Sequence, residues 1–517
     1  MDPEKVNYHY CDDLPTRPET EGARILVTGA NGYVAHRLIP ELIFRGYRVR
    51  CMFRSRGNPA ILNHPRIENV YADCLDSESL RPAMEGVDAA YYLIHSMRGK
   101  KKDFIGNDQR SAQNFVEVAK ESGVKKIIYL GGLGELSGGM SQHLKSRKQV
   151  GDILAKGNMT VIRLRAAIIL GTGSASYELL KSLVVNHRLI PFIREFNSWC
   201  QPIAIRDVIK YLVGVLEVPD LTSRIYQIGG RDKLLYKDLI LQFARILGKR
   251  VRFVDVSWVP LPVEWLCRLY ACWLHIFTAI PINITSLLLS SLKTDVVCHE
   301  QDIRTVLPFT PLDFNTAVVW AQEKEQQFRV FSHWTDVPPD RMSDLLPLCE
   351  FESANFVTDQ HHRVIPAPAS KVFELVCRIG GKHGWAHANL LWEIRGWIDR
   401  SIGGVGLQRG RRDENQLRLG DSVDFWRVEK LTPDRELLLR AEMISPGLSW
   451  LQFQLEPLNE METRLVLTAH FIPKPFWGQL YWTTLSKFHT YIFEGMLQHF
   501  HRQATEETGG IVQIRAL

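Results

Sequence analysis

The segment from Thr28 to Ala35, TGANGYVA, sets two glycines, Gly29 and Gly32, directly after an apolar β-branched run and directly before a helical pattern. Gly29 ends the run where the chain must turn tightly. Gly32 leaves room for a diphosphate to approach the backbone, and Ala35 stands where a third glycine would let helix pack on sheet. The helix that follows offers free N–H groups and the positive end of its dipole to the same point, which favours an anion. Glycines in a strand–turn–helix setting point to a dinucleotide; the alternative is a glycine-rich turn with no ligand. The next apolar run closes with Cys51, Met52, Phe53 and Arg54. It has no carboxylate at its end, where an NAD-preferring site holds the ribose 2′-hydroxyl. Arg54, with Arg56 close by, suits a 2′-phosphate through a forked, charge-assisted contact, so NADP is favoured over NAD. Two exposed loop arginines are the alternative. After the third run, Asp73 is placed to take the adenine amino group, with Cys74 beside it; a turn or helix-cap role is the other reading of Asp73.

From Arg24 to about Leu216 the chain alternates short apolar runs with helical patterns. RILVTG, YRVRCMFRS, RIENVYADC, DAAYYLIHS, KKIIYLGGLG and MTVIRLRAAIILG read as strands. YVAHRLIPELIFRG, SESLRPAMEG, residues 108–122 and SQHLKSRKQVGDILAKG read as helices, with Asp76 or Ser77 capping the second. Nearly continuous apolar strands between amphipathic helices predict a parallel sheet covered on both faces, a doubly wound α/β fold of Rossmann type.

Taken together, TGANGYVA, CMFRS, YADCLDSESL, GVDAAYYLIHSM, IIYLGGLGE and LRAAIILGTGSAS resemble the atypical short-chain dehydrogenase/reductase proteins, in their NmrA-like and complex-I-accessory-like branch, over about residues 24–330. The resemblance implies that Gly29, Asn31, Gly32, Tyr33 and Val34 line the pyrophosphate. It implies Arg54 at the 2′-phosphate, Asp73 and Cys74 at the adenine, and Leu93, Ile94 and His95 beside the ribose and nicotinamide. The catalytic part departs from the pattern. Working members carry a Ser after the fifth strand and Tyr-x-x-x-Lys on the next helix, where the Tyr exchanges the proton and the Lys lowers its pKa and holds the ribose. Here the strand ends Gly131, Gly132, Leu133, Gly134, and the helix offers His143 and Arg147 at a spacing of four, on one helix face. His143 can transfer a proton near neutral pH. Arg147 can hold ribose hydroxyls, but it is never deprotonated and is no simple stand-in for Lys. His143 as plain polar surface is the alternative. The next register, Leu144 and Lys148, offers no acid at all.

At 517 residues the chain is too long for one core. Its net charge of +6 is spread along it. The densest basic runs, residues 98–102 and 409–412, lack interleaved aromatics and read as solvated surface, not as a nucleic-acid site. Nine scattered cysteines, without Cys-x-x-Cys pairs or metal-ligand spacing, read as reduced thiols of a cytoplasmic protein with no metal centre. Residues 1–23 are polar and acidic, lack the apolar core of a signal peptide, and are expected to be a disordered extension. The apolar, aromatic stretch 258–290 is interrupted by Arg268, His275 and three prolines, too often for a membrane span. A buried helical pair or subunit contact is expected there. Peripheral contact with a membrane, or a gate to an apolar pocket, is the alternative. By the same resemblance this stretch lies at the substrate end of the cleft, so the expected substrate is hydrophobic or lipid-like. Asp207 is expected to cap or orient the helix in QPIAIRDVIKYLVGVLE.

Residues 331–360 read as a linker, and a new pattern fills 361–507: a strand, a short helix, several partly alternating strands and one long helix. VIPAPASKVFELV, GGVGLQRGRR and LGDSVDFWRVE resemble the START-like, polyketide-cyclase-like (SRPBCC-type) superfamily. The resemblance implies an α+β helix-grip domain with a cavity for a small apolar molecule. Trp385, Trp392, Trp397, Trp426, Trp450 and Trp482 are candidate lining, with simple core filling as the alternative. Arg409, Arg411 and Arg412 read as a solvated loop. The whole suggests an NAD(P)-dependent oxidoreductase for a hydrophobic substrate, with His143 as proton donor and acceptor. The alternative is a non-catalytic NAD(P)-binding sensor or accessory protein.

Overall fold

Short apolar runs that end in glycine or polar turns form the strands of the first half. The computed structural model describes residues 9–54, 64–94, 104–133, 142–194, 197–259, 262–277, 289, 294–300, 302–326, 357–409 and 411–514. The chain divides into two units, Met1–Ser343 and Asp344–Leu517.

The elements of the first unit are β1 (Arg24–Thr28), α1 (Tyr33–Phe44), β2 (Arg48–Phe53), β3 (Ile67–Tyr71), α2 (Ser77–Met84), β4 (Ala89–Tyr92), α3 (Phe104–Glu121), β5 (Lys126–Gly132), α4 (Gln142–Leu154), β6 (Thr160–Ala166), α5 (Ala175–Asn186), α6 (Ile205–Glu217), β7 (Arg224–Ile228), α7 (Tyr236–Ile246), α8 (Val263–Phe277) and α9 (Phe314–Gln326). These seven strands make one parallel sheet in the order β7-β6-β5-β4-β1-β2-β3, and shorter strands of the same unit form three two-stranded sheets beside it. The order reverses between β1 and β4, and in open α/β sheets ligands bind in the crevice beyond the strand ends at that point. Successive residues of β1 serve opposite faces. Ile25 and Val27 pack with Leu38 of α1 and Ile209 and Leu212 of α6. Leu26 packs with Phe115 and Val118 of α3. Asp76 caps α2 by accepting from the Glu78 N–H, as its position predicts.

Two expectations for this unit are corrected. Residues 9–22 are not a loose extension: Cys11 and Leu14 are buried, and the Glu41 carboxylate accepts the Tyr10 and Cys11 N–H groups. Thr16 Oγ1 and Arg45 Nε both donate to Glu217, at 2.6 and 2.8 Å, and Lys210 pairs with Asp13. The segment is polar in composition, but its partners wait on α1 and α6, far along the chain. Asp207 lies in the first turn of α6 and does not cap it; Ala204 stands at the N-cap. Asp207 Oδ2 instead accepts the Leu312 N–H at 2.8 Å, fastening the approach to α9.

The second unit contains β8 (Val357–Ile365), α10 (Ala369–Val376), α11 (Asn389–Ser401), β9 (Ser422–Val423), β10 (Trp426–Thr432), β11 (Glu436–Ala441), β12 (Gly447–Asn459), β13 (Glu462–Pro473) and α12 (Trp477–Ile514). Six strands form an antiparallel sheet in the order β8-β13-β12-β11-β10-β9. The long α12 packs on it, with Ile492, Met496, Leu497 and Phe500 in one core with Leu451, Phe453 and Leu467. The expected linker and its boundary at residue 361 need correction, because β8 already starts at Val357 and pairs with Phe471. Its polar alternate residues disguise an edge strand. The earlier linker residues, 331–356, lie outside the described ones.

The arginine loop is also not solvated. Arg409 and Arg412 are buried. Arg409 and Arg427 both pair with the fully buried Glu442. Arg412 makes two 2.9 Å bonds to Asp421, and Arg411 donates to the Ile379 carbonyl. The compensating acids come from later in the chain, so a charge run looked exposed in isolation.

Candidate functional site

The β1–α1 turn depends on Gly29, whose φ of +62° lies in the left-handed region that favours glycine. A Cβ there would stand 3.7 Å from the Leu93 carbonyl oxygen and from Ile94 Cγ1, so the turn nests against the end of β4. The Gly32 N–H donates to the Gly29 carbonyl at 2.8 Å. Gly32 is the N-cap of α1, with no side-chain cap bond and no acid in the first turn. The His36 N–H reaches the Gly32 carbonyl at 3.0 Å. The Tyr33, Val34 and Ala35 N–H groups before it are the orphan donors of a helix start. They stand at the carboxyl edge of the sheet, beside the switch point, and suit a diphosphate. The Ala30 N–H donates to the Met52 carbonyl at 3.2 Å and ties the turn to the end of β2.

Thr28 holds this arrangement together, and the sequence reading passed over it. Its hydroxyl donates to the Tyr91 carbonyl at 3.0 Å and accepts the Leu93 N–H at 2.9 Å. The available signal was a lone hydroxyl closing an otherwise apolar strand. Thr28→Val keeps the shape and leaves both backbone groups without that partner. The expected cost is about 1–3 kcal/mol, with weaker dinucleotide binding, while Thr28→Ser stays near wild type. Thermal melts and calorimetric titration with NADPH check this; an unchanged Thr28→Val protein would remove the role.

Asn31, Gly32, Tyr33 and Val34 are all half-buried on the turn. The Tyr33 side chain turns aside: the Arg37 guanidinium lies 3.9 Å from its ring centre. Burial pushes its hydroxyl pKa up to about 12. What this residue offers an anion is its backbone N–H. Arg54 and Asp73 are brought together, Nε to Oδ2, at 3.2 Å. Asp73 Oδ1 also accepts the Leu75 N–H at 3.0 Å, so its turn role is present as well. Cys74 is buried, and burial raises its thiol pKa far above the usual range. Its carbonyl accepts from Asn114 Nδ2 at 2.9 Å. Leu93 and Ile94 lie beside Gly29. His95 and Arg56 lie outside the described residues.

At the carboxyl end of β5, Gly131 and Gly132 face Arg165 and Ala166 of β6 in register. Arg147 reaches this edge: its Nη1 donates to the Leu130 carbonyl at 3.0 Å. In return, the Tyr129 hydroxyl donates to the Arg147 carbonyl at 2.9 Å. The pair clamps α4 to β5. His143 lies in α4, but its side chain is outside the described residues; Lys148 is exposed. Arg165 is a cation at this edge that the sequence reading missed, although Arg163 and Arg165 interrupt an apolar run. Burial, with Arg163 adding to it, lowers its pKa.

Each unit, taken by itself, also holds an apolar space. In the first unit a pocket of about 50 Å³ lies among Leu180, Leu183, Phe192, Tyr236, Tyr270 and Leu274. In the second, a cavity of about 260 Å³ opens between the sheet, α11 and α12, and Trp392, Trp426, Trp450 and Trp482 line it. Trp385 is instead core, its Nε1 donating to Asp424 at 2.9 Å, and Trp397 is 69% exposed. On α8, Leu266 and Leu274 are buried while Trp265 and Leu269 are exposed. Among the described residues no helix is long and apolar enough to cross a membrane, and no cluster of metal-ligating side chains occurs.

Residues 29–162 match the NAD(P)H-binding family, and residues 351–496 match a family described as proteins of unknown function (DUF2867). The sterol demethylase protein B of Methylococcus capsulatus is 28% identical over 112 residues, 21% of this chain and 34% of its own length. A 3 beta-hydroxysteroid dehydrogenase/Delta 5→4-isomerase of Mycobacterium tuberculosis is 28% identical over 133 residues, 24% of this chain and 35% of its own. This chain therefore spans about a third of the length of those two curated relatives. A photosystem II assembly factor of Synechocystis is 23% identical over 252 residues, 46% of this chain and 72% of its own. Among solved structures, a nucleoside-diphosphate-sugar epimerase of Staphylococcus aureus superposes with a TM-score of 0.46 at 17% identity, over 57% of this chain and 99% of that one. The first unit holds an NAD(P)-binding domain of Rossmann type, similar to the short-chain dehydrogenases/reductases, joined in one chain to a second domain built mostly on an antiparallel sheet.

Proposed function

We propose that the first unit is an NADP-dependent oxidoreductase for a hydrophobic or lipid-like substrate. The second unit is then a START-like helix-grip domain that holds or delivers an apolar small molecule. The observation that carries the proposal is the uncapped start of α1 behind Gly29 and Gly32, at the switch point of the sheet and with Arg54 near the end of β2. When bound, the dinucleotide supplies or accepts hydride. The first-turn N–H groups hold the pyrophosphate, Thr28 keeps Leu93 against it, and Arg54 meets the 2′-phosphate with Asp73 steadying its guanidinium. Arg147 holds α4 against β5 and supports the ribose, and His143 on the same helix moves the proton. The sterol and steroid names of two relatives agree with a hydrophobic substrate. We place the protein in the cytoplasm, with the apolar 258–290 stretch as its contact with a membrane surface and no nucleic-acid partner.

Arg54→Ala is expected to weaken NADPH about 10–100-fold, the loss of a charged hydrogen bond, and to leave NADH within about twofold. Equal losses for the two would remove Arg54 from the 2′-phosphate. Turnover is tested by NADPH oxidation with a panel of hydrophobic ketones and aldehydes. His143→Ala should slow it by about 100-fold or more; an unaffected rate would discard the proton-transfer role.

A second reading has its own support. β5 ends without a hydroxyl residue, and the Arg147 guanidinium donates to the Leu130 carbonyl. In this reading the dinucleotide is a structural or sensed ligand of an accessory protein. Tight NADPH binding without oxidation by any carbonyl offered would favour it.

A further inference from the structure

Two helices of the second unit leave apolar side chains in water. Along α11, Leu390, Ile394, Trp397 and Ile398 recur at helical spacing, with Ile402 just beyond its end. The opposite side of this helix is already used, since Gly396 and Asp399 are buried. Trp477, Leu480, Phe488 and Tyr491 follow one side of α12, with Phe476 just before it. These ten residues are between 45% and 69% exposed. About half of each side chain amounts to roughly 1,000 Å² in all, above the few hundred that a monomer ordinarily leaves in one patch. Phe476 has φ +61°, a left-handed backbone that a bulky residue rarely takes, and its ring meets the Trp477 ring at 5.2 Å between centres. Backbone strain of this kind collects where function requires a residue to be held in place.

The two stripes border one surface. Tyr491 packs on His387, just before α11, with ring centres 4.8 Å apart. Farther along α11, Arg395 Nη2 donates to the Ile444 carbonyl at 2.8 Å. Two residues on, the Pro446 carbonyl accepts the Lys474 N–H at 2.9 Å, shortly before the start of α12. The apolar cavity opens between these helices. Ile394, Ile398 and Phe488 line it and are still nearly half exposed, so they mark its mouth. The charges around the surface are one-sided. Between Glu462 and Glu494 the chain has no acidic residue and carries Arg464, Lys474 and Lys487. Residues 443–455, which include the Ile444–Pro446 turn, carry no charge. α11 itself is balanced, Glu393 and Asp399 against Arg395 and Arg400.

We propose that this surface docks on a membrane whose lipids carry negative charge, and that the cavity mouth then faces the apolar lipid interior. Tryptophan, tyrosine and lysine together suit the boundary between headgroups and acyl chains, where one end of the side chain is apolar and the other wet. Lys474, exposed in an acid-free segment, meets anionic headgroups. Among the described residues no helix is long and apolar enough to cross the membrane, so the unit lies on it. A second copy seated on the same surface would set Lys474 and its acid-free segment against one equally short of acids. This contact is separate from the one assigned to residues 258–290 of the first unit. The proposal rests on the reading of the second unit as an apolar-ligand domain and gives that ligand its source.

The test is sedimentation of the full chain with vesicles of phosphatidylcholine, alone or mixed with phosphatidylserine. The mixed vesicles are expected to bind at least about fivefold tighter. Trp397→Ser combined with Trp477→Ser should weaken that binding about tenfold or more. Lys474→Glu should weaken it about tenfold on mixed vesicles and little on neutral ones. All three side chains are exposed, so melting temperatures should stay within about 2 °C of wild type. Vesicle binding unmoved by the double variant but lost with Trp265→Ser in the first unit would overturn the proposal. So would a dimer in sedimentation velocity that the double variant dissolves, with no binding to either vesicle. The cavity is read separately with the apolar probe N-phenylnaphthylamine. Probe binding without vesicle binding overturns the docking alone, and failure of both removes the apolar-ligand reading as well.

Discussion

Gly32→Asp is expected to raise the Kd for NADPH at least about a hundredfold, roughly 2.7 kcal/mol, in a protein that still folds. Two effects act together on the ligand. A Cβ at this position would stand 3.0 Å from the Gly29 carbonyl oxygen, tight enough to shift the turn that shapes the site. The new carboxylate would then sit at the start of α1 and accept its first-turn N–H groups, which are the donors a diphosphate needs. The same chemistry keeps the fold intact. Gly32 has φ −74° and ψ 156°, an extended N-cap geometry that any residue adopts. Aspartate is a better cap than glycine by only a few tenths of a kcal/mol. Calorimetric titration with NADPH alongside a thermal melt separates the outcomes. An unchanged Kd would remove the dinucleotide from this turn, whereas a collapsed melting temperature would show that the turn carries stability instead.

Glu442→Gln in the second unit is expected to cost about 3–5 kcal/mol and to lower that unit's melting temperature by roughly 6–20 °C. Glu442 is fully buried and faces both Arg409 and Arg427, themselves buried. Removing its charge leaves two desolvated guanidiniums without their anion, and glutamine can bond to them but cannot neutralise them. The acid dependence follows from the same geometry. Burial alone would raise the Glu442 pKa, but the Arg427 and Arg409 charges outweigh it and hold the carboxyl well below its ordinary 4.5. A depressed folded-state pKa gives stability that is fully present above the unfolded value and is lost as the pH falls towards the folded one. The wild-type unit should therefore weaken progressively below about pH 4.5, and Glu442→Gln should lack that share of the acid sensitivity. Melts of both proteins at neutral pH and near pH 4 check this. A loss under about 1 kcal/mol at neutral pH would mean that the two arginines find other anions.

The Arg54–Asp73 pair and the Arg409 loop show how differently two sets of charges can be read. Arg54 and Asp73 each stand just after a different strand, β2 and β3. In parallel strands such ends gather at one edge, so the structure brings them within 3.2 Å. Arg409 and Arg412 looked like solvated surface because their acids, Glu442 and Asp421, arrive from other segments of the sheet region. Nothing in a short basic run reports a partner that the fold will supply. The tryptophans divide for a similar reason. Trp392, Trp426, Trp450 and Trp482 line the cavity, while Trp397 points away from the core of the unit. Composition alone treats them as equals.

The amino-acid sequence by itself determined the positions of the strands and helices that frame the candidate dinucleotide site, the turn at Gly29 and Gly32, and the Asp76 cap. Each depends on interactions within a few residues: the period of apolar side chains, the left-handed φ open to glycine, and a carboxylate meeting an N–H group nearby. The tertiary structure alone decided that Thr28 joins the ends of β1 and β4, that residues 9–22 pack on α1 and α6, and that Arg147 and Arg165 reach the edge of β5. It alone also formed the second unit's apolar cavity. Those outcomes depend on which surfaces meet across long stretches of chain, where burial removes water and makes each unpaired polar group or charge costly.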